Sequence, residues 1–442
     1  MRLQRDYCGA AKKNIQSENK VGPMVRMERK DSMIQGCGPV RSQVDRTAKP
    51  LSQQVFEKIR SAGRISRSDV AKDLGVSPGS VTSAVAALME AGLVREDPRP
   101  NRDTARGRPP VDLTIVPEAR HVAGLNLREG LHSAVITDFG GTVLAEAELP
   151  CAPGRKDIGE LLTEIDLLLD RALRQAGLGR GDLAAVGAGL PGFVDYAQGV
   201  VFWSPIVRER HAPLRAVLND RLPCAVYLDN DVNLLALAES WFGMGRHIAD
   251  FAVVTIEHGV GMGLVIDNQL YRGARGMGLE IGHTTVQLDG ALCRCGQRGC
   301  LEAYIADYAL VREASTALEW DGRVTRSPQQ TLEALFDQAK AGNDAARLIF
   351  HRAGRYLSAA LANTIRIFDP ELLLISGARL RYDLLYAEEV LAETHRFSDR
   401  IGRSRTEIAI NTWGDTVWAR GAAALALAEV TDALARDPRG DA

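Results

Sequence analysis

Four residues in one short stretch have the types and spacing to hold a metal ion. They are His283 and then Cys293, Cys295 and Cys300, the last three within Cys293-Arg294-Cys295-Gly296-Gln297-Arg298-Gly299-Cys300. Thiolate sulfur with one imidazole matches tetrahedral zinc. Four protein ligands leave no open coordination position, so the ion expected is a structural zinc, one per chain, that stiffens a loop. Three free thiols in a cytosolic loop are the plainer reading of the same residues. Glu280 stands three residues before His283, and Glu302 two after Cys300. A metal-locked loop would hold both carboxylates near one place. Paired carboxylates suit polyhydroxylated ligands because each accepts two hydroxyl hydrogen bonds. Taken singly, each is an ordinary solvated glutamate.

A second polar group is Asp229-Asn230-Asp231-Val232-Asn233, between a strand-like run and the helical run through Leu234, Ala236 and Ala238. That places it at the C-terminal end of a strand, where open α/β sheets bind ligands. An Asp there serves either as a general base toward a hydroxyl or only as a helix N-cap. Gly187-Ala188-Gly189-Leu190-Pro191-Gly192 is a glycine-rich turn after another strand, weak evidence alone because such turns often mark nothing more.

The elements that must position these groups alternate from about residue 119 onward. Val122–Leu127, Ala134–Thr137, Ala184–Ala188, Ala225–Leu228, Phe251–Ile256 and Leu372–Ser376 read as strands. Leu161–Gln175, Val232–Phe242, Ala345–Phe368 and Val417–Ala435 have the length and apolar spacing of helices. An α/β unit of more than 300 residues, over 116–435, divides into two lobes, with 436–442 as a tail.

Residues 51–115 follow a different pattern. Val55 and Ile59, then Val70, Ala71 and Leu74, then Val81, Val85, Leu88 and Met89 fall at helical spacing. Gly75 closes the second segment, and Ser77-Pro78 opens the third as N-cap and first helical residue. An arginine- and proline-rich turn over 98–110 then leads into the strand-like Val111–Ile115. The whole reads as a winged helix-turn-helix for double-stranded DNA. Ser77, Gly79, Ser80, Thr82 and Ser83 would meet base edges, while Arg106 and Arg108 of the wing hold phosphates. A three-helix unit that merely packs against the larger domain is the alternative. Residues 1–50, with eleven basic against five acidic side chains and no hydrophobic period, read as a disordered basic arm or a tail without a role.

The whole chain bounds these readings. Its 442 residues exceed the roughly 100 to 200 of one domain, and 45% hydrophobic with 25% charged residues is ordinary globular composition. A formal net charge of −2 requires any nucleic-acid affinity to come from a local basic patch. No run approaches the roughly 18 apolar residues of a membrane span, and no signal peptide is evident, so the expectation is a cytoplasmic protein with no membrane partner.

Taken together, residues 51–430 resemble the ROK family (repressors, open reading frames and sugar kinases), in particular its transcriptional regulators. The resemblance is carried by Leu270-Tyr271-Arg272-Gly273-Ala274, Glu280-Ile281-Gly282-His283 and Cys293 to Glu302, supported by Gly189-Leu190-Pro191-Gly192, the 229–233 motif and Gly107-Arg108-Pro109. It implies an N-terminal winged helix-turn-helix before a two-lobed, actin-like (ribonuclease H-like) sugar-kinase fold. It also implies zinc on His283, Cys293, Cys295 and Cys300, and a sugar held by Gly192, Asn230, Asp231, Glu280, His283 and Glu302. In the family's kinases the residue matching Asp231 deprotonates the sugar hydroxyl.

Where those kinases hold ATP phosphates with Asp-x-Gly-Gly-Thr, this chain has Asn126-Leu127-Arg128-Glu129-Gly130. Where they have Thr-x-Gly-Thr-Gly, it has Thr255-Ile256-Glu257-His258-Gly259, and a late double glycine is reduced to Ser376-Gly377. Two side chains replace glycines that let backbone approach phosphate, and Glu257 sets a carboxylate against a polyanion. The expectation is a sugar-responsive repressor of carbohydrate-use genes, a homodimer or tetramer on operator DNA, that has lost catalysis. The alternative is an active ATP-dependent hexose kinase carrying a DNA-binding domain. A regulator that reads a protein partner or a phosphosugar is a third.

Overall fold

A computed structural model describes residues 36–40, 49–98, 111–317, 327–376, 388–398, 406–411, 414 and 416–436. The N-terminal unit comprises α1 (Leu51–Ala62), β1 (Ile65–Ser66), α2 (Arg67–Leu74), α3 (Pro78–Glu90), β2 (Val94–Pro98) and β3 (Val111–Ile115). Ser66 caps α2 by accepting from Asp69 N at 3.2 Å, Gly75 ends it in the left-handed region, and Ser77 caps α3 by accepting from Ser80 N at 3.1 Å. Val55, Ile59, Val70, Val81, Val85 and Leu113 close a core with no solvent exposure. Met89, expected on the apolar face, is 38% exposed instead, its sulfur 3.7 Å from an Arg67 nitrogen. The antiparallel strands run in the order β1-β3-β2, the sheet of a winged helix.

The larger unit begins with β4 (His121–Asn126), β5 (Leu131–Asp138), β6 (Val143–Pro150), α4 (Ile158–Ala176), β7 (Leu183–Leu190), β8 (Phe193–Asp195), β9 (Val200–Trp203), α5 (Leu214–Asn219), β10 (Ala225–Asn230) and α6 (Asp231–Phe242). Its second lobe has β11 (Phe251–Ile256), β12 (Val260–Ile266), β13 (Gln269–Tyr271), α7 (Glu302–Ile305), α8 (Asp307–Ala317), α9 (Pro328–Lys340), α10 (Asp344–Phe368), β14 (Leu372–Ser376), α11 (Glu388–Ser398) and β15 (Glu407–Asn411), after which α12 (Val417–Arg436) returns to the first lobe. Among the described residues each lobe has one five-stranded sheet, ordered β10-β7-β4-β5-β6 and β13-β12-β11-β14-β15. The first three strands of each lobe pair antiparallel as a meander. Two more then join in parallel beside the first strand, after helical crossovers. The repeated plan is the two-lobed actin-like arrangement.

The helices α6 and α12 set the geometry between the sheets. A Cβ on Gly124 of β4 would lie 2.0 Å from the Ala419 carbonyl oxygen, and one on Gly187 of β7 would lie 2.0 Å from that of Ala422. Only glycine lets the alanine-rich α12 lie directly on the strand backbone. Such close packing makes α12 a stiff element of the lobe.

The winged helix is seated on the C-terminal ends of α6 and α12. Gln53 of α1 donates to Asp432 at 2.5 Å and Arg60 to Thr431 at 2.8 Å, with the Arg60 guanidinium 4.4 Å from the Trp241 ring centroid. Residues 36–40 complete the seat. Cys37 N donates to Arg60 O at 3.1 Å, Gly38 N to Trp241 O at 3.1 Å, and the buried Arg246 donates to the carbonyls of Gly38 and Ser61. This corrects the reading of 1–50 as a wholly disordered arm. Cys37 is 3% exposed, its apolar thiol packed over Gly141 next to Phe242, a placement that no periodicity announces.

Candidate functional site

Of the residues expected to meet DNA, Ser77, Gly79, Ser80, Thr82 and Ser83 all lie on the exposed face of α3, while Val81, Val85 and Leu88 bury the other. Two of the hydroxyls also serve the helix. Ser77 is the cap, and Thr82 Oγ1 donates to Pro78 O at 2.9 Å. Arg106 and Arg108 lie outside the described residues. Sequence reasoning missed that basic side chains beside this face are paired. Arg64 meets Asp97 at 2.8 Å and the buried Asp112 at 3.2 Å, and Arg67 meets Glu96 at 2.8 Å.

The structure gathers the four expected metal ligands. One donor atom from each of His283, Cys293, Cys295 and Cys300 lies within 4.8 Å of all the others. Cys293 Sγ is 3.7 Å from His283 Nδ1, and Cys295 Sγ is 3.7 Å from Cys300 Sγ. Thiolates roughly 2.3 Å from a tetrahedral ion stand about 3.8 Å apart, so the cage fits an ion of that coordination. A tight turn makes the first half, with Cys293 N donating to Gln297 O at 2.8 Å and Gly296 N returning to Cys293 O at 3.0 Å. Burial, followed by the crowding of neighbouring thiols, pushes the Cys300 thiol up to about 12. A divalent cation among the sulfurs reverses that preference.

The carboxylates converge beside this loop. Asp231 is the first residue of α6, but the cap is Asn230, whose Oδ1 accepts from Val232 N at 2.8 Å and whose Nδ2 donates to Gly192 O at 2.7 Å. Asn230 therefore keeps one N–H and one lone pair for a ligand. Gly192, at φ 117° with Trp203 O 2.2 Å from where a Cβ would sit, can present that carbonyl only as glycine. Burial, then the negative charge of Glu257, raises the Asp231 carboxyl to about 7. Burial, then Asp231 and Glu302, raises Glu280 to about 7 as well. Glu302, 8% exposed at the start of α7, has Oε2 3.4 Å from Val260 N and Oε1 3.4 Å from the Tyr308 hydroxyl. Its Oε1 is also 3.7 Å from Cys293 Sγ, so the same side chain touches the metal cage. The imidazole of His283 joins the two regions: Nδ1 faces Cys293, and the ring lies 6.5 Å from Phe193, centroid to centroid. The result is a cleft rich in hydroxyl acceptors beside an aromatic wall of Phe193 and Trp203, suited to a polyhydroxylated ligand.

The 126–130 turn is filled. Arg128 N donates to His132 Nδ1 at 3.2 Å, the Arg128 guanidinium lies 5.8 Å from the Trp418 ring centroid, and Glu129 accepts from Gly154 N at 3.0 Å. Ser376 is buried and donates to Asn411 O, and Gly377 lies outside the described residues. Sequence reasoning also missed the support beneath the cleft. Asp229, 1% exposed, accepts from Arg272 Nε at 2.7 Å and from Asn230 N and Asn233 Nδ2 at 2.8 Å each. An acid at the strand end within a motif already singled out was the available signal.

Comparison with known proteins agrees with this architecture. The ROK family pattern matches residues 130–429, and a winged helix-turn-helix DNA-binding pattern matches 57–95. The DNA-binding transcriptional dual regulator NagC of Escherichia coli (strain K12) is 30% identical over 341 residues, covering 76% of this chain and 82% of that protein. Among solved structures, a ROK family transcriptional regulator described as a homologue of the E. coli MLC protein superposes with a TM-score of 0.73 at 25% identity. It covers 87% of this chain and 97% of its own. A ROK hexokinase from Thermus thermophilus, 30% identical, gives 0.61 and covers 71% of this chain and all of its own. With 300 of its 442 residues inside the family pattern and the winged helix ahead of it, the chain belongs to the ROK family.

Proposed function

We propose that the protein is a sugar-responsive, DNA-binding transcriptional repressor that keeps the sugar half of a kinase site and has lost the nucleotide half. The reading is supported by the union, in one chain, of the exposed polar face of α3 with a cluster of carboxylates in which the charge of Glu257 acts on Asp231. A carboxylate at that point repels a triphosphate and leaves hydroxyl recognition intact. The regulator of known structure matches the chain across its N-terminal unit too, which supports the same reading.

In this proposal Asp231, Glu280 and Glu302 accept sugar hydroxyls, Asn230 and the Nε2 side of His283 fix its orientation, and Gly192 holds Asn230. Zinc on His283, Cys293, Cys295 and Cys300 supplies rigidity to the loop that carries His283 toward the cleft. The α3 residues read base edges, and Arg106 and Arg108 hold phosphates. Two copies of the chain bind two half-sites separated by one or more helical turns. A sugar changes operator affinity only through its different affinity for the DNA-competent and incompetent forms. No described helix is long and apolar enough to cross a membrane, and the proposed site of action is the cytoplasm.

Affinity selection of fragments from the source genome at stated salt tests the reading. A few enriched sites sharing an inverted repeat are expected, and uniform salt-sensitive retention of every fragment would refute it. Ser83→Glu should cut retention of the enriched fragments at least about tenfold by setting a carboxylate against DNA, with unchanged thermal unfolding because Ser83 is exposed. The kinase reading draws on one observation, an Asp231 carboxyl tuned near neutrality as a general base requires. Hexose-dependent ATP turnover that disappears in Asp231→Asn would establish it.

A further inference from the structure

The strand end that carries Asn230 and Asp231 is tied to the far end of α12 by a continuous polar chain. Asp229 accepts from Arg272 Nε at 2.7 Å, and the Arg272 guanidinium lies 3.9 Å from the Tyr196 ring centroid. The Tyr196 hydroxyl donates to Glu429 Oε1. Within the next turn of α12, Thr431 and Asp432 accept from Arg60 and Gln53 of α1. Asp229 is nearly fully buried, and burial with the Glu429 carboxylate raises the Tyr196 phenol, so it stays a donor. The seat is not fully closed beside Arg60. A cleft of about 230 Å³ opens there among Gly36, Arg60, Arg95, Asp97, Thr114 and Pro117. The hydrogen bond from Arg60 to Thr431 thus borders open space into which the contact between α1 and α12 has room to shift.

We propose that Arg272 and Tyr196 are positioning residues that transmit occupancy of the carboxylate cleft through Glu429 and α12 to the seat of the winged helix. Filling the cleft reorganises the hydrogen bonds around Asn230 and Asp231. Asp229 holds the backbone N–H of Asn230 and the side chain of Asn233, so its grip on Arg272 shifts with them. Because α12 lies on the backbone of β4 and β7, a pull at Glu429 moves its last turns and the Arg60 and Gln53 contacts, not its packed middle. The ligand half of this proposal rests on the sugar-responsive reading; the mechanical tie between Tyr196 and α1 does not.

The test uses the full-length protein with Tyr196→Phe, Glu429→Gln and the double variant. Hydrogen exchange without sugar is measured first. In each variant the amides of α1 and the last two turns of α12 should exchange at least about threefold faster, and those of α4 should not change. The double variant should match either single one, since both remove the same link. Unchanged α1 exchange, or equal acceleration in α4, would overturn the tie.

The second measurement is retention of the selected genomic fragment with and without glucose, N-acetylglucosamine or xylose. The ratio between the two states should fall at least about threefold in the variants, while their calorimetric affinity for the sugar stays within about twofold of the wild type. A wild-type ratio preserved in both variants would overturn the relay. If none of the three sugars alters retention by the wild type, the ligand half fails together with the sugar-responsive reading, and the exchange result still decides the tie.

Discussion

Replacing Cys300 by serine is expected to abolish sugar binding while sparing DNA binding. The thiol is fully buried and 3.7 Å from Cys295 Sγ, so a hydroxyl in its place removes one of the four candidate ligands of the cage. Structural zinc contributes on the order of 10 kcal/mol to small sites, and a missing ligand weakens the hold on the ion. The loop over 283–300 then no longer holds His283 beside Glu302 and Glu280. Affinity for a responding sugar should fall at least about 100-fold by calorimetry, whereas retention of the selected DNA fragment should change less than about threefold, since α3 belongs to a separate core. Elemental analysis of the wild type should find about one zinc per chain. Stable metal-free protein that binds sugar with wild-type affinity would contradict the assignment.

Asp231→Asn is expected to weaken sugar binding and, at alkaline pH, to stabilise the fold. Its carboxyl is raised to about 7 by burial and then by Glu257, whereas in the unfolded chain it titrates near about 3.9. Below about pH 4 both states are protonated and the shift contributes nothing. As pH rises from there to about 7 the unfolded state releases its proton while the folded state retains it, so stability falls through that window and is level above it. The amide removes this loss. The variant should therefore unfold at higher temperature than the wild type at pH 8, with a gain of about 1–2 kcal/mol after allowing for partial solvent screening, and converge with it near pH 4. Glu280 is raised in the same direction and adds to the wild-type slope. Sugar affinity should drop about 10- to 100-fold, as expected for losing charged hydrogen bonds to hydroxyls. A variant less stable than the wild type at pH 8 would show that Asp231 is favourably paired in the folded protein.

Much of the scaffold was legible because its signals are local. Gly75, Ser77 and Pro78 end and start helices through their own backbone chemistry, and the predicted cap of α3 is the one observed. The apolar runs at Val122, Phe251 and Leu372 became central strands, since a run buried on both faces needs no partner to be recognised. The edge strands β6, β13 and β15 and the short β8 and β9 went unread, being exposed on one side or brief, and so did the interior β12, whose apolar run is broken by Gly261 and Gly263. The 229–233 motif was found, yet its two roles could not be separated: only the fold shows that Asn230 caps the helix, and that Asp231 lies where the charge of Glu257 acts on it.

By itself, then, the sequence determined the kinds of element and singled out a Cys3His set able to hold a metal ion and the carboxylates that gather beside it, because residue type and short spacing carry those. The tertiary structure alone decided which distant groups meet. Cys37 and Arg246 gained a place in the seat of the winged helix, and Asp229, Arg272, Tyr196 and Glu429 became one chain. Such contacts join residues up to 379 positions apart, as Gln53 and Asp432 are, and no local periodicity records them. They exist because two sheets of the same plan set α6 and α12 between them, which brings the ends of those helices to both the cleft and the DNA-binding unit.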